Sequence, residues 1–316
     1  KKPNLTSYNQ SIVKLQTQVP LIKQSPAIDY DSKLVLLGSC FAENMAHKLS
    51  YFKFQNTVNP LGVVFNPVAI LDLLTRAQQS TPYTEKDIFF SNDCWQSFRA
   101  HSRLNRNSKA EMIAGLNTAL QSTQNKLKNA SHVLLTFGTA WVYKHIHSKI
   151  IVANCHKQPQ SQFEKSILSV DQLQNTFAAI ISVLKAFNPK VTVVFSISPV
   201  RHLKDGFIEN NQSKAHLMAA LHSVIEPTEN IHYFPSYELL MDELRDYRFY
   251  NEDLVHPNSI AIDYIWERFQ FSWVDDETTA IMQEVNQLQK GLAHKPFNPL
   301  AAAHTAFLSK LSVKVK

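Results

Sequence analysis

Four stretches of this sequence are apolar without alternation: Lys33–Leu37, His132–Phe137, Val191–Ile197 and Ile231–Phe234. A strand with one wet face alternates apolar and polar residues; a strand covered on both faces does not. Such runs, separated by helical patterns, predict an α/β fold. It is a doubly wound, mainly parallel sheet with helices on both faces, three layers in all, joined by right-handed crossovers. The helical patterns are Ala42–Leu49, Pro67–Ala77, Lys109–Leu127, Asp171–Phe187, Asn211–Glu226 and Ser259–Phe269. Asn66 is placed to cap the second, with Pro67 at its first position. Phe89–Ser102, aromatic and polar, reads as a hairpin insertion. Beyond Val274 the chain turns more polar, and Asp275–Lys290 and Leu300–Leu311 read as two further helices. The expected division is one α/β domain over residues 1–274 and a helical C-terminal extension over 275–316, packed on or beside it.

Composition narrows the partners. Net charge is +6 and pI near 9.1, but no run of five or six like charges marks a nucleic-acid arm. Nucleic acid is therefore not an expected partner, while attraction to an anionic substrate stays open. Three cysteines without CxxC spacing indicate neither a disulfide framework nor a zinc site. No apolar stretch approaches the ~20 residues of a membrane span, and residues 1–23 carry no secretory apolar segment. The cytoplasm is the expected compartment, with a processed start left open because the chain begins with lysine. No Gly-rich phosphate loop and no HExxH motif occur, so no cofactor and no metal are expected. Oligomeric state is not given by the sequence.

Glycine is scarce, six in 316 residues, and its positions are informative. Gly38 and Gly138 end apolar runs and lead straight into hydroxyls, Ser39 and Thr139; Gly62 lies in Asn59-Pro60-Leu61-Gly62. Glycine permits close backbone approach, and open α/β sheets bind ligands beyond the carboxyl ends of their strands. Ser39 would sit at a helix N-terminus, where backbone N–H groups can hold an oxyanion. The same place suits an ordinary N-cap. Cys40 is a rival nucleophile, although cysteine is often buried. Late in the chain, Asp253-Leu254-Val255-His256-Pro257 places a carboxylate three residues before an imidazole. On a loop, Asp253 can accept from His256 Nδ1 and leave Nε2 free as a base for a serine hydroxyl. Together these residues point to a serine hydrolase. Arg201 and His202 follow the third apolar run and belong at the same edge: Arg201 as an anion clamp or an ion-pair partner, His202 as the alternative base. Lys214 is either an anion ligand or a solvated helix lysine. Trp95, Phe98, Trp141 and Tyr143 either line a sugar platform or pack.

The run Gly38-Ser39-Cys40-Phe41-Ala42 resembles the signature of the GSCFA family, a branch of the SGNH (GDSL-like) hydrolase superfamily, whose fold is flavodoxin-like. Thr136-Phe137-Gly138-Thr139-Ala140-Trp141, Asn154-Cys155-His156-Lys157, Ser198-Pro199-Val200-Arg201-His202 and Asn211-x-Ser213-Lys214 resemble further blocks of that family, so the likeness runs from about Lys33 to Trp266. It implies Ser39 as nucleophile, His256 as base and Asp253 as its partner. The N–H groups of Gly62 and Ser39 would then form the oxyanion hole. SGNH enzymes carry an asparagine two residues after the third-block glycine; Gly138-Thr139-Ala140 has none, so Thr139 or Asn154 is the expected substitute. The implied function is a serine-dependent carbohydrate O-acyl (acetyl) esterase acting on a small-molecule or glycan ester. An acyltransferase with the same triad, or a non-catalytic glycan- or anion-binding module, is the alternative.

Overall fold

The computed structural model describes residues 16–298 and 300–315. Its elements in chain order begin with β1 (Lys33–Gly38), α1 (Cys40–Tyr51), β2 (Gln55–Val58), α2 (Pro67–Gln79), β3 (Phe89–Ser91) and β4 (Cys94–Gln96). Next come α3 (Lys109–Lys128), β5 (His132–Phe137), β6 (Trp141–His145), β7 (Phe163–Ile167), α4 (Val170–Phe187) and β8 (Thr192–Ile197). The chain then forms α5 (Phe207–His222), β9 (Ile231–Tyr233), α6 (Ser236–Glu238), α7 (Ser259–Trp273), α8 (Thr279–Ala293) and α9 (Ala302–Val315). A π-helical turn, Leu239–Leu244, continues α6.

Five strands make one parallel sheet in the order β2-β1-β5-β8-β9. This is the doubly wound α/β architecture expected. Counted within the sheet, the order is 2-1-3-4-5, and its single reversal falls between β1 and β5, where such folds open a crevice at the carboxyl ends. Alternate residues of each strand feed two cores. Val35, Leu37, Val133, Leu135, Val193 and Phe195 pack with α2 to α5 on one face. Leu34, Leu36, Leu134 and Val194 pack with α1 and α7 on the other. With both faces covered, these strands have no need of polar residues.

Two elements lie outside the four apolar runs. β2 is an edge strand paired only with β1, and its Gln55-Asn56-Thr57-Val58 is mostly polar because one edge and much of its surface stay wet. The β6–β7 hairpin, antiparallel from Trp141↔Ile167 to His145↔Phe163, lies outside the main sheet. The insertion after Ile88 is a hairpin as expected, β3 against β4, turned by Asn92 and Asp93 at φ +49° and +56°. Asparagine and aspartate tolerate that left-handed conformation, which matches the twist of a two-residue hairpin loop. Helix α5 starts four residues before the expected Asn211, since Gly206 at φ +116° lets the chain enter the helix early. It ends at His222 because Glu226 bridges to Ile231 instead.

Helix α8 docks on the end of α1: Tyr51 Oη donates to Asn286 Oδ1 at 2.8 Å and Gln289 Nε2 donates to Tyr51 O at 3.1 Å. Helix α9 packs Leu311 against Gly291 of α8. No helix among the described residues is long and apolar enough to cross a membrane.

Candidate active site

Strand β1 ends at the reversal of strand order, and Gly38 is required there by space as well as by backbone conformation. Its φ is +140°, and a Cβ would lie 2.1 Å from Thr136 O on β5. Ser39 follows as the N-cap of α1, nearly fully buried, its Oγ accepting from Phe41 N–H at 3.2 Å. Both roles weighed for a serine at this position are compatible, because a capping oxygen accepts while its own proton stays available. Among the described residues that proton goes to no acceptor, and no hydrogen bond joins Ser39 Oγ to His256.

The backbone donors expected to hold an oxyanion are spent elsewhere. Ser39 N–H donates to Thr136 O at 3.0 Å, extending the parallel ladder, and Gly62 N–H donates to Asn59 O at 2.8 Å, closing a turn. That turn delivers a different donor. Asn59, itself left-handed at φ +41°, accepts from Gly38 N–H through Oδ1 at 2.8 Å. A backbone N–H needs an oxygen opposite it, so this bond fixes which end of the amide is Nδ2. Asn59 Nδ2 is buried and, among the described residues, unpartnered, beside the residue that precedes Ser39. Buried amide donors are almost always satisfied, which marks Asn59 as a residue the sequence reading passed over. Its only signal was the Asn-Pro-x-Gly turn after a polar edge strand.

Asp253 and His256 form a compact pair on the loop before α7. Asp253 Oδ2 meets His256 Nδ1 at 2.7 Å, while Oδ1 accepts the N–H groups of His256 and Val255, both at 2.9 Å. The backbone N–H of His256, then that of Val255, then the imidazole hold the carboxyl down at about 2. Asp253 is therefore ionised, and with Nδ1 bonded to it, His256 Nε2 has no hydrogen-bond partner among the described residues. The pair is about half exposed. Its loop hangs from the exit of β8: Arg201 N–H donates to Val255 O at 3.2 Å and Arg201 Nη1 to Leu254 O at 3.3 Å. Ser39, Gly138, Arg201 and the Asp253–His256 loop thus stand at one carboxyl edge of the sheet.

His202 is held neutral. Burial first, then Lys214 and His256, pull its pKa to about 3. Among the described residues no carboxylate steers it, and its buried Nε2 has no partner. As an alternative base it is poorly placed, since no described carboxylate fixes its tautomer and burial opposes its taking a proton. Gly138 makes room for it: a Cβ there would sit 2.7 Å from His202 Nε2 and 3.1 Å from Phe65 Cβ. Lys214, expected to be solvated or anion-binding, is neither. It is buried, its Nζ donating to Gly138 O at 2.7 Å and Ser198 O at 2.8 Å, so it ties the ends of β5 and β8 together. Burial lowers its pKa to about 7. Thr139 is committed to structure as well, its Oγ1 pairing with Ser213 Oγ at 2.9 Å and accepting from Trp141 N–H at 3.0 Å.

A cavity of about 330 Å³ adjoins His202 and Thr139 and is lined also by Trp141, Tyr143, Asn154 and Asp205. Asn154 Oδ1 caps His156 N–H at 2.7 Å, and the residue lines the cavity without reaching the Gly38 turn by any hydrogen bond. The Trp141 face is covered by Lys165 Nζ, 4.7 Å from the ring centroid and itself paired to Asp205 at 2.6 Å. Phe98 is packed among Phe89, His145 and Phe163, and Trp95 against Phe90. Trp95 and Phe98 therefore pack, while Trp141 and Tyr143 border the cavity of about 330 Å³. Burial, then Glu43, pushes the Cys40 thiol up, away from the reactive thiolate.

The fold is that of an α/β protein whose candidate site, a serine and a carboxylate–imidazole pair, lies at the carboxyl edge of a parallel sheet. The chain belongs to the GSCFA family: the model of that family matches residues 33–269, and that of the GSCFA domain protein, C-terminal domain matches residues 285–316. No curated protein matches it. Among solved structures it is similar to a carbohydrate esterase family 3 protein from Talaromyces cellulolyticus, at 10% identity and a TM-score of 0.36, covering 82% of this chain and 98% of that one. It is also similar to a mutant acetyl esterase crystallised with acetate ion, at 11% identity and a TM-score of 0.36, covering 83% and 100%.

Proposed function

We propose that this chain is a serine-dependent hydrolase of ester bonds, with an O-acylated carbohydrate as substrate class. Ser39 Oγ attacks the acyl carbonyl as its proton passes to His256 Nε2. Asp253 holds the imidazole in the tautomer that leaves Nε2 free and stabilises the imidazolium. Asn59 Nδ2 donates to the oxyanion, taking the place of the Gly62 N–H and of the absent third-block asparagine. Collapse of the tetrahedral intermediate expels the alcohol, which takes the proton back from His256. Water then releases the acyl group from Ser39 by the same steps in reverse.

The observation that supports this reading best is the Asp253–His256 pair. Its carboxylate is pinned by two backbone N–H groups and one ring nitrogen, on a loop fastened to the strand edge that also carries Ser39. Catalytic hydrogen bonds in unliganded sites are often unformed and tighten with substrate. The test is labelling with a fluorophosphonate and turnover of 4-nitrophenyl acetate. Ser39→Ala is expected to abolish both, and equal labelling or turnover in the two proteins would remove Ser39 from the mechanism.

A further inference from the structure

A second cavity, of about 240 Å³, opens between Arg201 and the loop that follows the π-helical turn, with Arg245, Asp246, Tyr247 and Tyr250 in its wall. Whole-ligand sites usually run to ~300–1,000 Å³, so this one suits the end of a ligand. Two guanidinium groups line it, and among the described residues neither Arg201 nor Arg245 has a carboxylate within ion-pair distance. The one carboxylate among the described residues of the wall, Asp246, is turned onto Arg248, whose Nη2 and N–H donate to it at 2.9 and 2.8 Å.

Arg201 is held firmly without being neutralised. The rings of Phe207, Tyr247 and Tyr250 surround its guanidinium at 5.3, 5.8 and 5.7 Å from their centroids. Of the five N–H donors that an arginine fork carries, one finds a described acceptor, Leu254 O. Arg245 sits at φ +47°, a conformation that glycine or asparagine adopts more cheaply. Two like charges facing one hollow repel each other unless an anion enters between them, and planar forks suit carboxylate and phosphate oxygens. The same Arg201 carries the Asp253–His256 loop, through Val255 O and Leu254 O, so an anion held here lies next to the pair.

We infer that this cavity, walled by Arg201, Arg245 and two tyrosines, binds the anionic end of the substrate, a phosphate or carboxylate group, so that the esters cleaved here are negatively charged. This inference rests on the ester-hydrolase reading. Two measurements separate them. Calorimetric titration of the whole protein with inorganic phosphate and with acetate, chloride serving as the control anion, is expected to show saturable binding of at least one of the first two. The tighter of the two identifies which group the site is built for. Arg245→Gln, at an exposed position, and Arg201→Gln are each expected to weaken that binding about tenfold or more, as loss of a charge-assisted pair does. No saturable binding of either anion, or undiminished binding by Arg245→Gln, overturns the inference. In parallel, kcat/KM is compared for neutral 4-nitrophenyl butyrate and anionic mono-4-nitrophenyl succinate. The anionic ester is expected to be preferred, with the preference reduced about tenfold in Arg245→Gln. Ser39-dependent turnover without that preference leaves the hydrolase standing and removes the anionic substrate. Anion binding without Ser39-dependent turnover keeps the site and removes the hydrolase.

Discussion

Lys214 supplies the sharpest energetic test of the site. The amine is buried, ties Gly138 O to Ser198 O, and is held at about 7 by burial against an ordinary 10.5. A lowered folded-state pKa means that, between those two values, the unfolded chain binds a proton that the folded chain does not. Below the window the lysine is charged in both states and the folded state carries the full penalty. Above it the amine is neutral in both and the penalty is gone. Stability therefore rises with pH across the window. With these two pKa values the penalty is about 4 kcal/mol at pH 7 and about 2 kcal/mol at pH 9, a gain of about 2 kcal/mol. Neutral amine still has two N–H donors for its two carbonyls, so the tie survives deprotonation. The perturbation is Lys214→Met, compared with the wild type by urea unfolding at both pH values. Met strands two buried carbonyls, at about 1–3 kcal/mol each, but this cost does not titrate. The difference in unfolding free energy, wild type minus variant, is expected to grow by about 2 kcal/mol from pH 7 to pH 9. A flat or falling difference would refute the burial argument and show Lys214 charged throughout. Lys214→Gln, which keeps a donor, serves as the second variant.

Three further outcomes are expected. Asn59→Ala deprives Gly38 N–H of its acceptor and removes the free Nδ2, so kcat per folded molecule falls ~10²–10³-fold, with about 1–3 kcal/mol lost in chemical unfolding; full retention of kcat removes Asn59 from the oxyanion site. Asp253→Asn keeps the shape of the loop but allows the wrong imidazole tautomer, so ester turnover drops by ~10⁴ or somewhat less, with circular dichroism unchanged. Gly138→Ala drives a methyl group to 2.7 Å from His202 Nε2 and 3.1 Å from Phe65 Cβ; overpacking of this kind costs about 1–3 kcal/mol, read as a lower Tm.

The strands that carry the sheet were legible because β1, β5, β8 and β9 are covered on both faces, which erases alternation. β2 was not legible, since an edge strand can be polar and Gln55-Asn56-Thr57 carries no apolar pattern. The residues of the candidate site divide along the same line. Ser39 and Asp253–His256 announce themselves by chemistry at short spacing, and the structure sets them at one edge. Lys214 looked like any helix lysine, because its burial depends on α5 lying against the ends of two strands distant in sequence. Asn59 and Arg245 depend on backbone conformation at single residues, φ +41° and +47°, which no periodicity reports.

The bond from Gly38 N–H to the Asn59 side chain also acts on assembly of the sheet. The β1–β2 ladder runs from Lys33↔Gln55 to Leu36↔Val58, and the next residue along, Asn59, ends it with a side-chain acceptor. Slippage by one position in either direction would present Val58 or Pro60 to that glycine, and neither side chain has an oxygen to offer. A polar edge strand has little hydrophobic preference for one alignment over another. A single amide thus serves as the gauge that rejects misaligned pairings, and the strand that leads into Ser39 can be completed only when its neighbour is in step.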